Sequence, residues 1–126
     1  MATLTLTSTV TYTSTQPLQA MKDAIMGKRY EATLTFIGET RARSLNQAYR
    51  QKDYVPNVLS FPLTDSVGEV YISPAVAKRE AKKFNLSVDG YIAFLFIHGL
   101  LHLKGLDHGD TMEKQERKYL KQFRIT

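Results

Sequence analysis

The chain contains no cysteine among its 126 residues. That absence excludes disulfides, thiolate nucleophiles and every cysteine-based zinc or iron–sulfur site, so a transition metal has to be held by His, Asp or Glu. It also suits a reducing compartment. Histidine is scarce too, with three in all. Long hydrophobic runs are missing. The most apolar segment, residues 91–103, is too short to span a bilayer and carries two histidines, so it reads as a core helix and no membrane partner is expected. Met1 to Gln16 has neither a basic head nor an apolar run and does not read as a secretory signal. No internal repeat, low-complexity stretch or linker divides the sequence, and residues 1–126 are expected to form one domain.

What is present has the balance of a globular protein: 43 % apolar and 23 % charged residues, too apolar for a disordered chain. The formal charge of +5 and a pI near 9.5 suit a polyanionic partner, although many basic proteins of this size bind no nucleic acid. Period-two alternation predicts strands at Thr3-Leu4-Thr5-Leu6-Thr7, Val10-Thr11-Tyr12-Thr13 and residues 30–37. Pro17 opens a short amphipathic helix to about Lys28, and residues 39–51 read as a second helix with Leu45 and Tyr49 on one face. A short strand, Val58-Leu59-Ser60-Phe61, is expected to stop at Pro62, and Val70-Tyr71-Ile72 forms another. Helices follow at residues 75–84, from Ser87 or Asp89 to about Lys104, and from Asp110 or Thr111 onward. The fold class is α+β: a small mixed sheet packed with helices, then a helical C-terminal half.

All three histidines, His98, His102 and His108, fall in that half within one short window. Positions four apart on a helix lie about 40° apart around its axis, so His98 and His102 can aim at one point. Gly105 is a natural left-handed helix terminus, after which the chain can fold back and bring His108 to the same point. Three imidazoles with one open corner make a catalytic rather than structural zinc site, with one zinc per chain expected. The spacing has the outline of the metzincin motif H-E-x-x-H-x-x-G-x-x-H, but Gly99 stands where those proteases place their general base.

The segment His98-Gly99-x-x-His102-Leu103-x-Gly105-x-Asp107-His108 resembles the signature of the YbeY family of bacterial rRNA maturation endoribonucleases. Leu45-Asn46-x-x-Tyr49-Arg50-x-Lys52-Asp53, followed by Asn57-Val58-Leu59-Ser60-Phe61-Pro62, resembles that family's other block, and Gly68-Glu69-Val70-Tyr71-Ile72-Ser73 its next strand. The likeness runs from about Phe36 to Glu116. Two positions depart from the usual pattern: Val55-Pro56 replaces Pro-Thr, and Gly68-Glu69 replaces Gly-Asp. The resemblance implies a cytoplasmic, zinc-dependent endoribonuclease specific for single strands. It would act in 16S rRNA 3′-end maturation and ribosome quality control, with the small ribosomal subunit as partner and no DNA expected. It also places the family's functional arginine at Arg50, near the metal, where a guanidinium can grip two phosphate oxygens.

Zinc lowers the pKa of bound water toward ~7, so hydrolysis does not require a glutamate base. Attack by the RNA's own 2′-OH is an open alternative. Asp107 reads equally as a hydrogen-bond partner of an imidazole or as a cap of the last helix. Arg41, Arg43, Lys52, Lys78, Arg79, Lys82 and Lys83 line an RNA path or simply a solvated surface. Two other functions stand beside the nuclease. One is a zinc metallopeptidase. The other is a non-catalytic ribosome-associated zinc protein, which a fourth ligand from Asp107 or Asp110 would favour.

Overall fold

Strict alternation of buried and half-buried side chains builds the two inner strands. In a computed structural model that describes residues 4–126, strand β2 (Glu31–Phe36) buries Ala32, Leu34 and Phe36, and strand β4 (Val67–Ile72) buries Gly68, Val70 and Ile72. The two run parallel with Leu34 beside Val70 and Phe36 beside Ile72, so both apolar sets share a face. Strand β1 (Leu4–Ser8) lies parallel to β2, and strand β3 (Val58–Thr64) antiparallel to β4, giving the order β1-β2-β4-β3. Thr3, expected at the head of β1, lies outside the described residues.

Helix α4 (Val88–Leu103) covers the apolar face. Ten of its sixteen residues are buried, among them Ile92, Phe96 and Leu100, which is why its sequence is apolar nearly all round. Helix α1 (Leu18–Met26) adds Leu18, Met21 and Ile25 to the same core, and helix α5 (Asp110–Gln122) adds Met112 and Tyr119. Each fully buried side chain of this size contributes about 1.5–3 kcal/mol. Helix α2 (Glu39–Arg50) lies toward the opposite face, where Tyr49 meets Phe61 edge-on at 5.6 Å. Helix α3 (Pro74–Glu80) runs on into a 3-10 turn, Ala81–Phe84.

Two expectations are corrected. Residues 10–13 form no strand: Tyr12, Ser14 and Thr15 bond to the Asp89 carboxylate in the first turn of α4, which draws this segment off the sheet. Pro62 does not stop β3. The strand lies at the sheet edge, where a missing N–H is tolerated, and the irregularity that proline brings appears as a register shift between Pro62 and Thr64. Leu45 and Tyr49 do lie one turn apart on α2, and the side turned inward is that of Ala42 and Asn46, where Asn46 donates to the Tyr54 carbonyl, leaving Tyr49 70 % exposed. The last helix opens at Asp110 as expected, with Gly109 at its N-cap and no side-chain bond there.

Candidate metal centre

Helix α4 supplies two of the three imidazoles. Ser87 fixes its start by accepting from the Gly90 N–H, and the four-residue spacing then sets His98 and His102 one turn apart, facing the same cleft. Gly105 ends the helix as expected, at φ +102°, with its own N–H bonded to the His102 carbonyl and the Leu106 N–H to the Leu101 carbonyl. The chain turns back through residues 106–109, and His108 joins the pair from this loop. One nitrogen from each ring lies within 4.8 Å of the others. The ring centroids are 4.6, 5.1 and 4.9 Å apart.

The ring protons are placed by neighbours. His98 Nδ1 lies 2.6 Å from Glu116 Oε2, and His102 Nδ1 lies 3.0 Å from the Leu106 carbonyl oxygen. A carbonyl, or a carboxylate, can only accept, so both rings carry their hydrogen on Nδ1 and present a bare Nε2. Those two Nε2 atoms face each other at 3.1 Å. Two lone pairs at this distance repel unless a cation or a proton stands between them. The donor set of three imidazoles, two with fixed tautomers, fits a transition metal of zinc type and offers none of the oxygens that calcium or magnesium require. Burial lowers the pKa of His102 below the ordinary imidazole value, and the charges of His98, His108 and Arg50 push the same way, against the hydrogen bond that His102 donates to the Leu106 carbonyl.

Arg50 comes to this cleft from α2. It is the last residue of α2, followed by Gln51 in the left-handed conformation at φ +56°, and it lines the same cleft of about 690 Å³ as the histidines. The other basic residues of interest lie elsewhere. Arg43 is paired with Asp53 and Arg79 with Glu39, while Arg41, Lys52, Lys78, Lys82 and Lys83 are exposed and outside the cleft. Asp107 is exposed, and the two Nδ1 atoms go to Glu116 and Leu106 rather than to it. It is not the helix cap either, that place being held by Gly109. Glu116 was not legible in the sequence: it sits 18 residues beyond His98, and only the packing of α5 on α4 brings them together.

Gly99 has a structural reason. A β-carbon there would lie 3.0 Å from both Ser60 Oγ and Val70 Cγ1, and Ser60 already donates to the Gly99 carbonyl. Glycine lets α4 approach the sheet, and a side chain here would require Ser60 and Val70 to give way by a few tenths of an ångström.

A family model described as Endoribonuclease YbeY matches residues 4–124. The Endoribonuclease YbeY of Methylobacillus flagellatus is 38 % identical over 96 residues, covering 74 % of this chain and 64 % of that one. That of Alkaliphilus metalliredigens is 36 % identical over 108 residues, covering 77 % and 70 %. That of Thiobacillus denitrificans is 39 % identical over 105 residues, covering 75 % and 71 %. The chain therefore spans 64 to 71 % of the length of these relatives. The solution structure of TM1509 from Thermotoga maritima is similar with a TM-score of 0.65 at 25 % identity, over 94 % of this chain and 87 % of that one.

Proposed function

The chain belongs to the YbeY endoribonuclease family, and from that membership and the geometry of the cleft we propose that it is a zinc-dependent, single-strand-specific endoribonuclease. Its substrate is precursor 16S rRNA, cut during 3′-end maturation and ribosome quality control on the small ribosomal subunit, in the cytoplasm. The observation that carries the metal reading is the pair of bare Nε2 atoms at 3.1 Å, held in the cleft that Arg50 also lines.

His98, His102 and His108 would hold one zinc, which when bound supplies Lewis acidity and a lowered pKa for water. The chain's own residues do the rest. Glu116 and the Leu106 carbonyl fix the two helix-borne imidazoles and raise their basicity as ligands. Arg50 binds the phosphodiester through its planar guanidinium, orients it toward the histidines and offsets the charge that develops on its oxygens. With Gly99 where metzincins carry their glutamate, the chain supplies no peptidase base at that position. Among the described residues the ligand group comprises only the three histidines, with neither Asp107 nor Asp110 in the fourth place, which favours an open catalytic corner over a purely structural site.

Elemental analysis and paired cleavage assays test this. Purified protein should hold about one zinc per chain, and His98→Ala, His102→Ala and His108→Ala should each lower occupancy sharply. Single-stranded RNA should be cut and casein left intact. Full zinc retention in all three variants, or metal-dependent proteolysis with no RNA cleavage, would overturn the reading.

A further inference from the structure

The cleft continues past the histidines along a wall that this chemistry leaves unused. Phe94 stands one turn before His98 on α4, the ring centroids 6.2 Å apart. Next to it, Phe84 lies nearly flat on Tyr91, at 5.1 Å and 14°, and Phe94 closes the cluster at 5.9 Å from Tyr91 and 6.4 Å from Phe84. Tyr91 is buried, but Phe84, at the end of the 3-10 turn, is 54 % exposed. A lone exposed phenyl ring would mean little. This one belongs to an aromatic row that starts at a candidate metal ligand and lines the same cleft.

The wall also carries an acceptor. Glu80 Oε1 receives hydrogen bonds from Asn57 Nδ2 at 3.0 Å and from the Tyr91 hydroxyl at 2.9 Å. The Tyr91 hydroxyl and one N–H of Asn57 thereby go to the same oxygen, and Oε2 has no partner among the described residues. Burial, then the bond to Glu80, holds the Tyr91 phenol above its ordinary range, so it stays a donor. A carboxylate repels phosphate. What suits a wall of aromatic rings ending in a free carboxylate oxygen is a flat, neutral group with a donor edge.

Resting on the endoribonuclease reading above, we infer that this wall is a base-reading subsite. A nucleobase next to the scissile phosphate stacks on the Phe84–Phe94 row and donates its exocyclic amino group to Glu80. Cytosine N4 and adenine N6 supply that donor; uracil presents the O4 acceptor there, and its approach to Glu80 sets two acceptors face to face. The subsite is therefore specific for amino-bearing bases.

Fluorescein-labelled oligocytidylate and oligouridylate of about eight nucleotides, a length within known single-strand site sizes, isolate the contact because the two bases stack alike and differ at this edge. Affinity is read by stopped-flow anisotropy before cleavage, with wild-type cleavage followed in parallel. Wild type should bind the cytidylate more tightly. Phe84→Ala should weaken both by roughly 5- to 100-fold, the loss of about one stacked base, and Phe84→Trp should restore them. Glu80→Gln keeps an oxygen for Asn57 and Tyr91 but turns the free position into a donor, so the preference should vanish or reverse. Wild-type affinity in Phe84→Ala, or an unchanged preference in Glu80→Gln, overturns the subsite while wild-type cleavage leaves the nuclease standing. Failure of wild type to bind or cut either RNA overturns both.

Discussion

Arg50 owes its place to a helix end. With Gln51 turning left-handed behind it, the chain leaves α2 and returns through residues 51–57 to β3, and Arg50 lines the cleft together with α4. If it grips phosphate in the transition state, Arg50→Ala should slow single-turnover cleavage of a labelled oligoribonucleotide by about 10²–10³-fold, the size of effect seen when one donor is removed from a preorganised site. Zinc content and circular dichroism should not change. Arg50→Lys should recover little, since an ammonium cannot make the bidentate contact. The salt dependence of RNA binding should become shallower by about one charge in Arg50→Ala. A wild-type rate in Arg50→Ala would make it a surface arginine. At this scale the histidines were legible because helical spacing and a glycine stop are local rules. The partner of His98 was not, because adjacency in sequence pointed to Asp107 while the loop turns that residue to solvent and packing delivers Glu116.

Helix α4 joins the sheet, the site and the N-terminal segment, and Asp89 in its first turn makes the last of these connections. Its carboxylate accepts from the Tyr12 hydroxyl, from Ser14 Oγ at 2.7 Å, and from Thr15 through both N–H and hydroxyl at 3.0 and 2.7 Å. Burial pushes its pKa up, but these bonds outweigh burial and hold it below the ordinary aspartate value. A carboxyl with a depressed folded pKa gives stability that is full above the unfolded value, near 3.9, and is lost as pH falls through the folded one. Asp89→Asn should therefore cost about 1–3 kcal/mol near pH 7, the range for losing bonds to a charged acceptor. The gap from wild type should close in acid. Urea midpoints at about pH 7, 5 and 3 check this. The difference between the two proteins is diagnostic, because Asp23, Glu39 and Asp53 are also depressed and tilt both curves alike. Parallel curves at all three pH values would show that Asp89 is not the tie. The alternation at residues 10–13 suggested a strand for the reason this tie explains: local pattern cannot register a carboxylate 77 residues beyond Tyr12.

The whole molecule assembles its cleft from pieces remote in sequence: the end of α2, the start of β3, the outer edge of α4, the 105–109 loop and α5. Element types were mostly readable from periodicity, but the order β1-β2-β4-β3 was not, since parallel pairing of β2 with β4 passes over β3 and no local rule selects it. A cation held by the three histidines would also tie the 105–109 loop to α4. His108 is exposed on its loop, between Gly105 and Gly109, both at positive φ. Without a cation, the Nε2 atoms of His98 and His102 at 3.1 Å require a shared proton or a ring rotation. Zinc bound to the folded state alone stabilises it by about 2.7 kcal/mol when free metal exceeds the dissociation constant a hundredfold. For a domain of this size that corresponds to roughly 10 °C in Tm. Stripping with EDTA should lower the Tm by about that amount, measured by calorimetry at fixed protein concentration, and stoichiometric zinc should restore it. His108→Ala should melt near the stripped value and respond to neither treatment, because its loop is no longer tethered. An unchanged Tm after elemental analysis confirms that the zinc is gone would mean that the metal joins nothing the fold does not already hold.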